Sequence, residues 1–237
     1  MSVFIIAEAA CGWNGDLKQA EHSIRMAKVH GANAWKTQWT SDPMGMAGRR
    51  GINYSAVAEK LKRLAWPFEY HAELWAMCRE YGIEYMCTTF ITKDIEKVNP
   101  FVRRFKVSAF ESPWHEFVEA HAPYGKPIIA STNAAGPHHQ KGDARIQWLH
   151  CMSLYPTPLI EARVGLVKFL DGYSDHTTST FTGALATACG ARVIEKHVKT
   201  IDMLPSDPDQ PHSLGMNGVD SDFGNYVRNI REAEKAL

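Results

Sequence analysis

The chain lacks an excess of charge of either sign: across its 237 residues, 26 lysines and arginines balance 26 aspartates and glutamates. No global field therefore draws it to nucleic acid or to an anionic membrane, and any anion it binds has to be held by local groups. No apolar run approaches the roughly 20 residues of a membrane span. The opening stretch, MSVFIIAEAACGWNGD, has no basic region and reaches Glu8 too early for a signal peptide. Cysteine is scarce and scattered. Cys11, Cys78, Cys87, Cys151 and Cys189 are odd in number and include no C-x-x-C pair, which argues against a disulfide framework and against a zinc knuckle. Cytoplasmic residence is the expectation. Linkers, internal repeats and low-complexity tracts are missing as well, so residues 1–237 are expected to form one domain.

What is present is alternation. Apolar runs rich in β-branched residues (SVFIIAE, NAWKTQ, IEYMCTT, RFKVSAF, KPIIAST, RIQWLHC, DGYSD and RVIEKHV) are separated by amphipathic stretches. The helical candidates are Leu17–His30, Phe68–Tyr81, Trp114–His121, Leu159–Leu170, Thr178–Cys189 and Ser221–Leu237. Strands alternating with helices predict a parallel sheet with helical crossovers. Eight such units in a chain of this length predict a (β/α)8 TIM barrel. One unit is thin: after KPIIAST only NAAGPHHQKGDA precedes the next strand, so the fifth helix is expected to be reduced to a turn.

In such a barrel the active site forms at the C-terminal ends of the strands. The strand ends here are polar: Glu8; Lys36 and Gln38; Thr88 and Thr89; Lys106, Ser108 and Glu111; Ser131 and Thr132; His150, Cys151 and Ser153, followed by Tyr155; Ser174, Asp175 and His176; Glu195, Lys196 and His197. A serine or threonine at a strand end is ordinarily just wet. Lys36 and Lys106 are different, because each lies inside an apolar strand and must aim its ammonium at an anion or at water. Two such lysines among hydroxyls suit a small phosphorylated carboxylate. A lone strand histidine is more often a satisfied core residue than a ligand. Two on adjacent strands, His176 and His197, can approach metal-bridging distance, where Mn²⁺, Fe²⁺, Zn²⁺ or Mg²⁺ would act as a Lewis acid. Spacing alone leaves both readings open.

The segments FIIAEAACGWNGD, AWKTQ, FKVSAFE, KPIIAST, LHCMSLYPTP, YSDHT and VIEKHV, in this order, resemble the sialic acid synthase family, which includes N-acetylneuraminate, legionaminate and pseudaminate synthases. The resemblance runs from Phe4 to about Phe223. It implies a metal-dependent barrel enzyme, a transferase that condenses phosphoenolpyruvate with an open-chain N-acyl sugar aldehyde and releases phosphate. It implies His176 and His197 as ligands of a divalent metal, Mn²⁺ before Mg²⁺, Fe²⁺ or Zn²⁺. Glu8, Glu111 and Lys106 are the implied catalytic groups, the carboxylates lying near the acceptor and the attacking water. Lys36, Thr88, Lys106, Ser153 and Ser174 are implied around phosphoenolpyruvate, and Ser108 and Ser131 are further substrate-binding candidates at the strand ends. Gln38, Tyr155 and Asp209 are implied to face the sugar or a metal-bound water. A homodimer is the implied assembly.

Three departures from the family pattern bear on the acceptor. The resemblance implies a C-terminal antifreeze-like domain that lends an arginine to the partner's acceptor site, and the expectation for these 237 residues is the barrel alone. Either a separate antifreeze-like chain supplies that arginine or the acceptor differs. On strand four the sequence reads KVSA, so Ala109 stands where the family has serine, and alternation along a strand would turn Ser108 away from the site. The usual STGMA turn is STNAA, in which Asn133 can adopt the left-handed conformation of the glycine. Arg49 and Arg50, in the loop after strand two, are expected near the mouth, where they would either be solvated or replace the missing arginine. Two further readings stand beside the synthase: a non-catalytic barrel that keeps the scaffold and metal site, and a synthase that takes a phosphorylated aldose.

Overall fold

The computed structural model describes residues 2–53, 55, 58, 61–133 and 145–237. Eight parallel strands close into a barrel: β1 (Phe4–Ala10), β2 (Ala34–Gln38), β3 (Glu84–Thr88), β4 (Phe105–Val107), β5 (Ile128–Thr132), β6 (Ile146–Cys151), β7 (Gly172–Asp175) and β8 (Val193–Lys199). Each pairs with the next, and β8 pairs back onto β1. Among the described residues, the helices α1 (Leu17–Val29), α2 (Pro43–Arg49), α3 (Tyr70–Glu80), α4 (Thr92–Val98), α5 (His115–Glu119) and α6 (Thr182–Ala188) lie between the strands in sequence, and α7 (Asp222–Ala236) follows the last of them. A two-residue strand, β9 (Leu214–Gly215), adds to β8 after the last barrel strand. The expected (β/α)8 TIM barrel is the observed fold.

Because side chains alternate along a strand, each strand has one face for the barrel interior and one for the helices. The outward set, including Ile5, Trp35, Tyr85, Phe105, Tyr173 and Ile194, forms the main core with Ile24 of α1, Leu74 of α3 and Tyr226 of α7. The inward set begins with a small apolar plug of Ile6, Ala34, Met86, Ile129, Leu149 and Val193. Two residues further along the same strands, the inward positions become Glu8, Lys36, Thr88, Ser131, Cys151 and Glu195, all buried. One two-residue step therefore turns a dry core into a polar layer. Gly172 permits the closure at β7, because a Cβ there would lie 2.0 Å from the Val193 carbonyl oxygen.

Several elements differ from the sequence expectation. Leu159–Leu170 is not one α-helix but two 3₁₀ segments, Leu159–Glu161 and Val164–Phe169, separated where Arg163 adopts a left-handed φ of 46°. The helix expected at Thr178–Cys189 begins only at Thr182, and that at Trp114–His121 spans His115–Glu119. β4 stops at Val107, so Ser108 belongs to the following turn. The segment expected to hold a reduced fifth helix, residues 134–144, lies outside the described residues, and Asn133 is an exposed bend at its edge.

Outside the barrel wall a buried charge network joins β7, β8, α6 and α7. Asp175 Oδ1 lies 3.2 Å from Lys196 Nζ, and its Oδ2 accepts hydrogen bonds from Tyr226 (2.9 Å) and Thr182. Lys196 also donates to the Thr177 carbonyl. Asp175 and Lys196 are both fully buried. Removing one partner leaves the other charge buried and unpaired, so Asp175→Ala should cost about 3–5 kcal/mol in a chemical denaturation experiment. A loss below about 1 kcal/mol would show that this network does not brace the barrel.

Candidate active site

The polar layer is built by register. Glu8 lies opposite Lys36 on one side and His197 on the other, and Ser174 lies opposite Glu195. β1 carries an irregularity between Glu8 and Ala10, where the Ala10 N–H donates to Glu8 Oε1 at 2.6 Å. The other Glu8 oxygen contacts the Lys36 ammonium. Lys36 also donates to Thr88 Oγ1 at 2.8 Å and lies 3.6 Å from Glu195 Oε2. Glu195 Oε1 accepts from Ser174 at 2.9 Å and lies 3.7 Å from Lys106, which in turn donates to Ser131 at 2.9 Å. The buried lysines thus meet carboxylates of the barrel itself, and the carboxylate between them is Glu195, a polar strand end to which the sequence reading assigns no role. Its signal was present: Glu195 stands two residues before His197 and shares its face, whereas Lys196 points the opposite way.

These charges set one another's protonation. Burial pulls the Lys36 ammonium down to about 8, opposed by Glu195 and reinforced by Lys106. Burial pushes the Glu195 carboxyl up, but Lys106 and Lys36 together outweigh it and hold the group below the ordinary carboxylate range. At neutral pH Glu195 is therefore a carboxylate and Lys36 an ammonium group.

Above this layer the rings gather. His176 and His197 lie 5.3 Å apart between centroids, His197 and His212 4.6 Å, and Tyr155 packs 4.2 Å from His176. His176 Nδ1 sits 2.8 Å from the Met152 carbonyl oxygen, so that nitrogen donates and Nε2 keeps its lone pair. Burial pulls His176 down and His197 well down, the latter helped by His212 and His176, so both imidazoles are neutral at neutral pH. The buried Nδ1 of His197 has no hydrogen-bond partner among the described residues. Neutral imidazoles with available lone pairs and a nearby carboxylate are a donor set that fits a divalent metal. Donor atoms of His197, Asp209 and His212 all fall within 4.8 Å of one another. Sequence reasoning passed over His212, although Asp209-x-x-His212 is a one-turn spacing.

Two adjoining spaces open here. An inner cavity of about 50 Å³ is lined by Glu8, Lys36, Thr88, Lys106, Ser131 and Ser174, with Cys151 and Glu195 between them. An outer cavity of about 350 Å³ has apolar walls, among them Met46, Leu61, Leu64, Phe90 and Phe110, with Arg50, Arg63, Asp207 and Asp209 at its polar side. Gln38, Ser108, Tyr155 and His197 line both, and His176 lines the inner one. Ser153 lines neither and is half-buried.

Glu111 is fully buried and held by Arg50, whose Nε donates to it at 2.6 Å, and by the Ser108 hydroxyl. The alternation argument for Ser108 therefore fails, because the strand has already ended and the turn sends the hydroxyl to Glu111. Ala109 still lines the inner cavity without offering a donor. The two loop arginines also part company. Arg50 lines the outer cavity, its guanidinium 5.0 Å from the Phe110 ring, while Arg49 packs 5.4 Å from Trp114 and from Phe117 and lines neither cavity.

An anion in the inner cavity needs Lys36 charged. Affinity for inorganic phosphate should therefore fall as pH rises through about 8, and Lys36→Gln should remove that step. Calorimetric titration between pH 7 and about 9.5 checks this, and an affinity independent of pH across the range would contradict it.

Comparison with known proteins agrees with this architecture. The sequence profile of the NeuB family matches residues 23–237. The N,N'-diacetyllegionaminic acid synthase of Legionella pneumophila is 30% identical, the alignment covering 100% of this chain and 74% of that protein. The pseudaminic acid synthase of Campylobacter jejuni is 29% identical, covering 99% of this chain and 75% of the relative. Among solved structures, the N-acetylneuraminic acid (sialic acid) synthetase of Leptospira borgpetersenii, crystallised with citrate, superposes with a TM-score of 0.85 at 25% identity, over 100% of this chain and 85% of that one. With its eight-stranded barrel and a charged layer at the strand ends, the chain belongs to the NeuB family of acid synthases, enzymes of the transferase type.

Proposed function

We propose that the protein condenses phosphoenolpyruvate with an open-chain sugar aldehyde of the N-acetylmannosamine type, giving a nonulosonic 2-keto-3-deoxy sugar acid and inorganic phosphate. One observation carries the reading: two buried lysines and two neutral imidazoles, His176 and His197, open into a single cavity. The names of the relatives, which are pseudaminic and legionaminic acid synthases, point to the same class of product.

In this reading Lys36 and Lys106 hold the phosphoryl and carboxylate charges of phosphoenolpyruvate, with Thr88, Ser131 and Ser174 as hydroxyl donors. The acceptor occupies the outer cavity beside Gln38, Tyr155 and Asp209. His176 and His197 are the residues that would hold a divalent metal, which when bound supplies Lewis-acid polarisation of the aldehyde carbonyl. The methylene carbon of phosphoenolpyruvate uses its C=C electron pair to form the new bond to the aldehyde carbon, leaving oxocarbenium character at C2 and an alkoxide that is protonated through Glu111 with the proton this residue receives from water. Water adds at C2 and gives its proton to Glu111, which Arg50 and Ser108 keep oriented. The bond from C2 to the phosphate oxygen then breaks as the C2 hydroxyl passes its proton to the departing phosphate, whose charge the lysines stabilise. Glu8, fixed by the Ala10 N–H and by Lys36, keeps the Lys36 ammonium aimed into the cavity. The free thiols, with no disulfide among the described residues, suit a reducing cytoplasm.

Mass spectrometry of products from phosphoenolpyruvate, Mn²⁺ and a panel of plain and phosphorylated aldoses tests the reaction. A nonulosonic acid is expected, and His176→Ala and His197→Ala should each abolish it while leaving the circular dichroism of the barrel intact. Turnover of a phosphorylated aldose alone would reassign the acceptor. Failure of every acceptor to consume phosphoenolpyruvate, in protein that binds metal, would leave the non-catalytic barrel as the better account.

Glu111→Gln separates the water step from binding. The affinity for phosphoenolpyruvate should stay within about threefold of the parent, whereas kcat should fall by about 100-fold or more. Equal losses in both would assign Glu111 to binding.

A further inference from the structure

We infer that His212 is a third imidazole ligand, so that this chain offers its metal His176, His197 and His212 together with the Asp209 carboxylate. The inference rests on the metal-site reading given above.

The argument begins with relative placement. The His212 ring lies 4.6 Å from that of His197, closer than the 5.3 Å that separates His197 from His176. His212 is thus a direct neighbour of His197 at the mouth, with its ring 6.0 Å from that of His176. Donor spacing points the same way. Asp209 Oδ1 lies 3.5 Å from His212 Nε2. Two ligands on one tetrahedral ion, each at about 2.0–2.2 Å, stand about 3.3–3.6 Å apart. The pair already has the separation that one ion would impose. His197 then closes a group whose donor atoms are all within 4.8 Å.

The turn that carries the pair is fixed in advance. Asp209 precedes the 3₁₀ turn Gln210–His212, and β9 follows at once, pairing Leu214 with Val198 of β8. Lys199 Nζ donates to the Gln210 carbonyl at 2.9 Å, and the Ser213 hydroxyl donates to the Asp209 carbonyl at 2.6 Å. The Asp209 N–H donates to Asp207 Oδ1 at 2.8 Å, and Asp207 is paired with Arg63. His212 is fully buried against Tyr155, 5.1 Å away, at the cavity mouth. A loop tied down at this many points holds its imidazole without relying on the metal for order. Three nitrogen donors also shift preference away from Mg²⁺ and Mn²⁺ toward Fe²⁺, Co²⁺ and Zn²⁺.

X-ray absorption on the intact, Zn²⁺-loaded protein counts the imidazoles directly. Three are expected, and two would overturn the inference while leaving the His176–His197 site in place. Calorimetry adds a second reading. Loss of a residue that merely orients a ligand costs about 10–100-fold in metal affinity, so His212→Ala should weaken Zn²⁺ binding by more than about 100-fold. A change within threefold in the folded variant would overturn the direct role, and if that variant does not fold, the absorption count on the unsubstituted protein decides. Absence of any Zn²⁺, Co²⁺ or Mn²⁺ binding by the parent protein would remove both this inference and the metal-site reading beneath it.

Discussion

The rest of the site depends on Glu195, a buried carboxylate held between two buried ammonium groups, 3.6 Å from Lys36 and 3.7 Å from Lys106. Without it, two like charges would share a low-dielectric interior, and burial would drive Lys36 toward its neutral form. With it, the lysines stay charged and aimed into the cavity before any substrate arrives. Glu8 completes the arrangement from the β1 side through its contact with the Lys36 ammonium. A phosphorylated substrate then enters a field of fixed donors that needs little reorganisation.

The geometry that permits this is the two-residue step along each strand. Ile6, Ala34, Met86, Ile129, Leu149 and Val193 plug the barrel, and the next inward positions are polar. The same rule explains why Lys196, one residue from Glu195, belongs to a different network. It faces the helices and pairs with Asp175, where charge braces β7 and β8 against α7. One strand thus contributes a structural lysine on one face and a glutamate and a histidine of the candidate site on the other.

Much of this was legible in the sequence. The barrel followed from the alternation of strands and helices, and the lysines stood out because apolar strands do not tolerate an unpaired ammonium. The positions of Glu8, Lys36, Thr88, Lys106, Ser131, Ser174, His176 and His197 around one cavity follow from register, which eight parallel strands leave little freedom to change. What could not be read lay in loops. Ser108 escaped the strand rule because β4 is only three residues long. Arg49 and Arg50 are adjacent, yet only Arg50 turns to Glu111. His212 is brought to the mouth by β9, a two-residue strand too short to leave a hydrophobic period. The broken helix at Leu159–Phe169 depends on one left-handed residue, Arg163, which no amphipathic pattern reveals.

The account stands on the inner layer being the anion site, with the outer cavity left to the acceptor. A crystal structure with phosphoenolpyruvate bound tests this most directly. The account requires the phosphoryl or carboxylate oxygens to lie within hydrogen-bonding distance of both Lys36 and Lys106, with the methylene carbon facing His176 and His197. Phosphoenolpyruvate bound instead in the outer cavity against Arg50 and Arg63, with the lysines still paired only to Glu8 and Glu195, would contradict it.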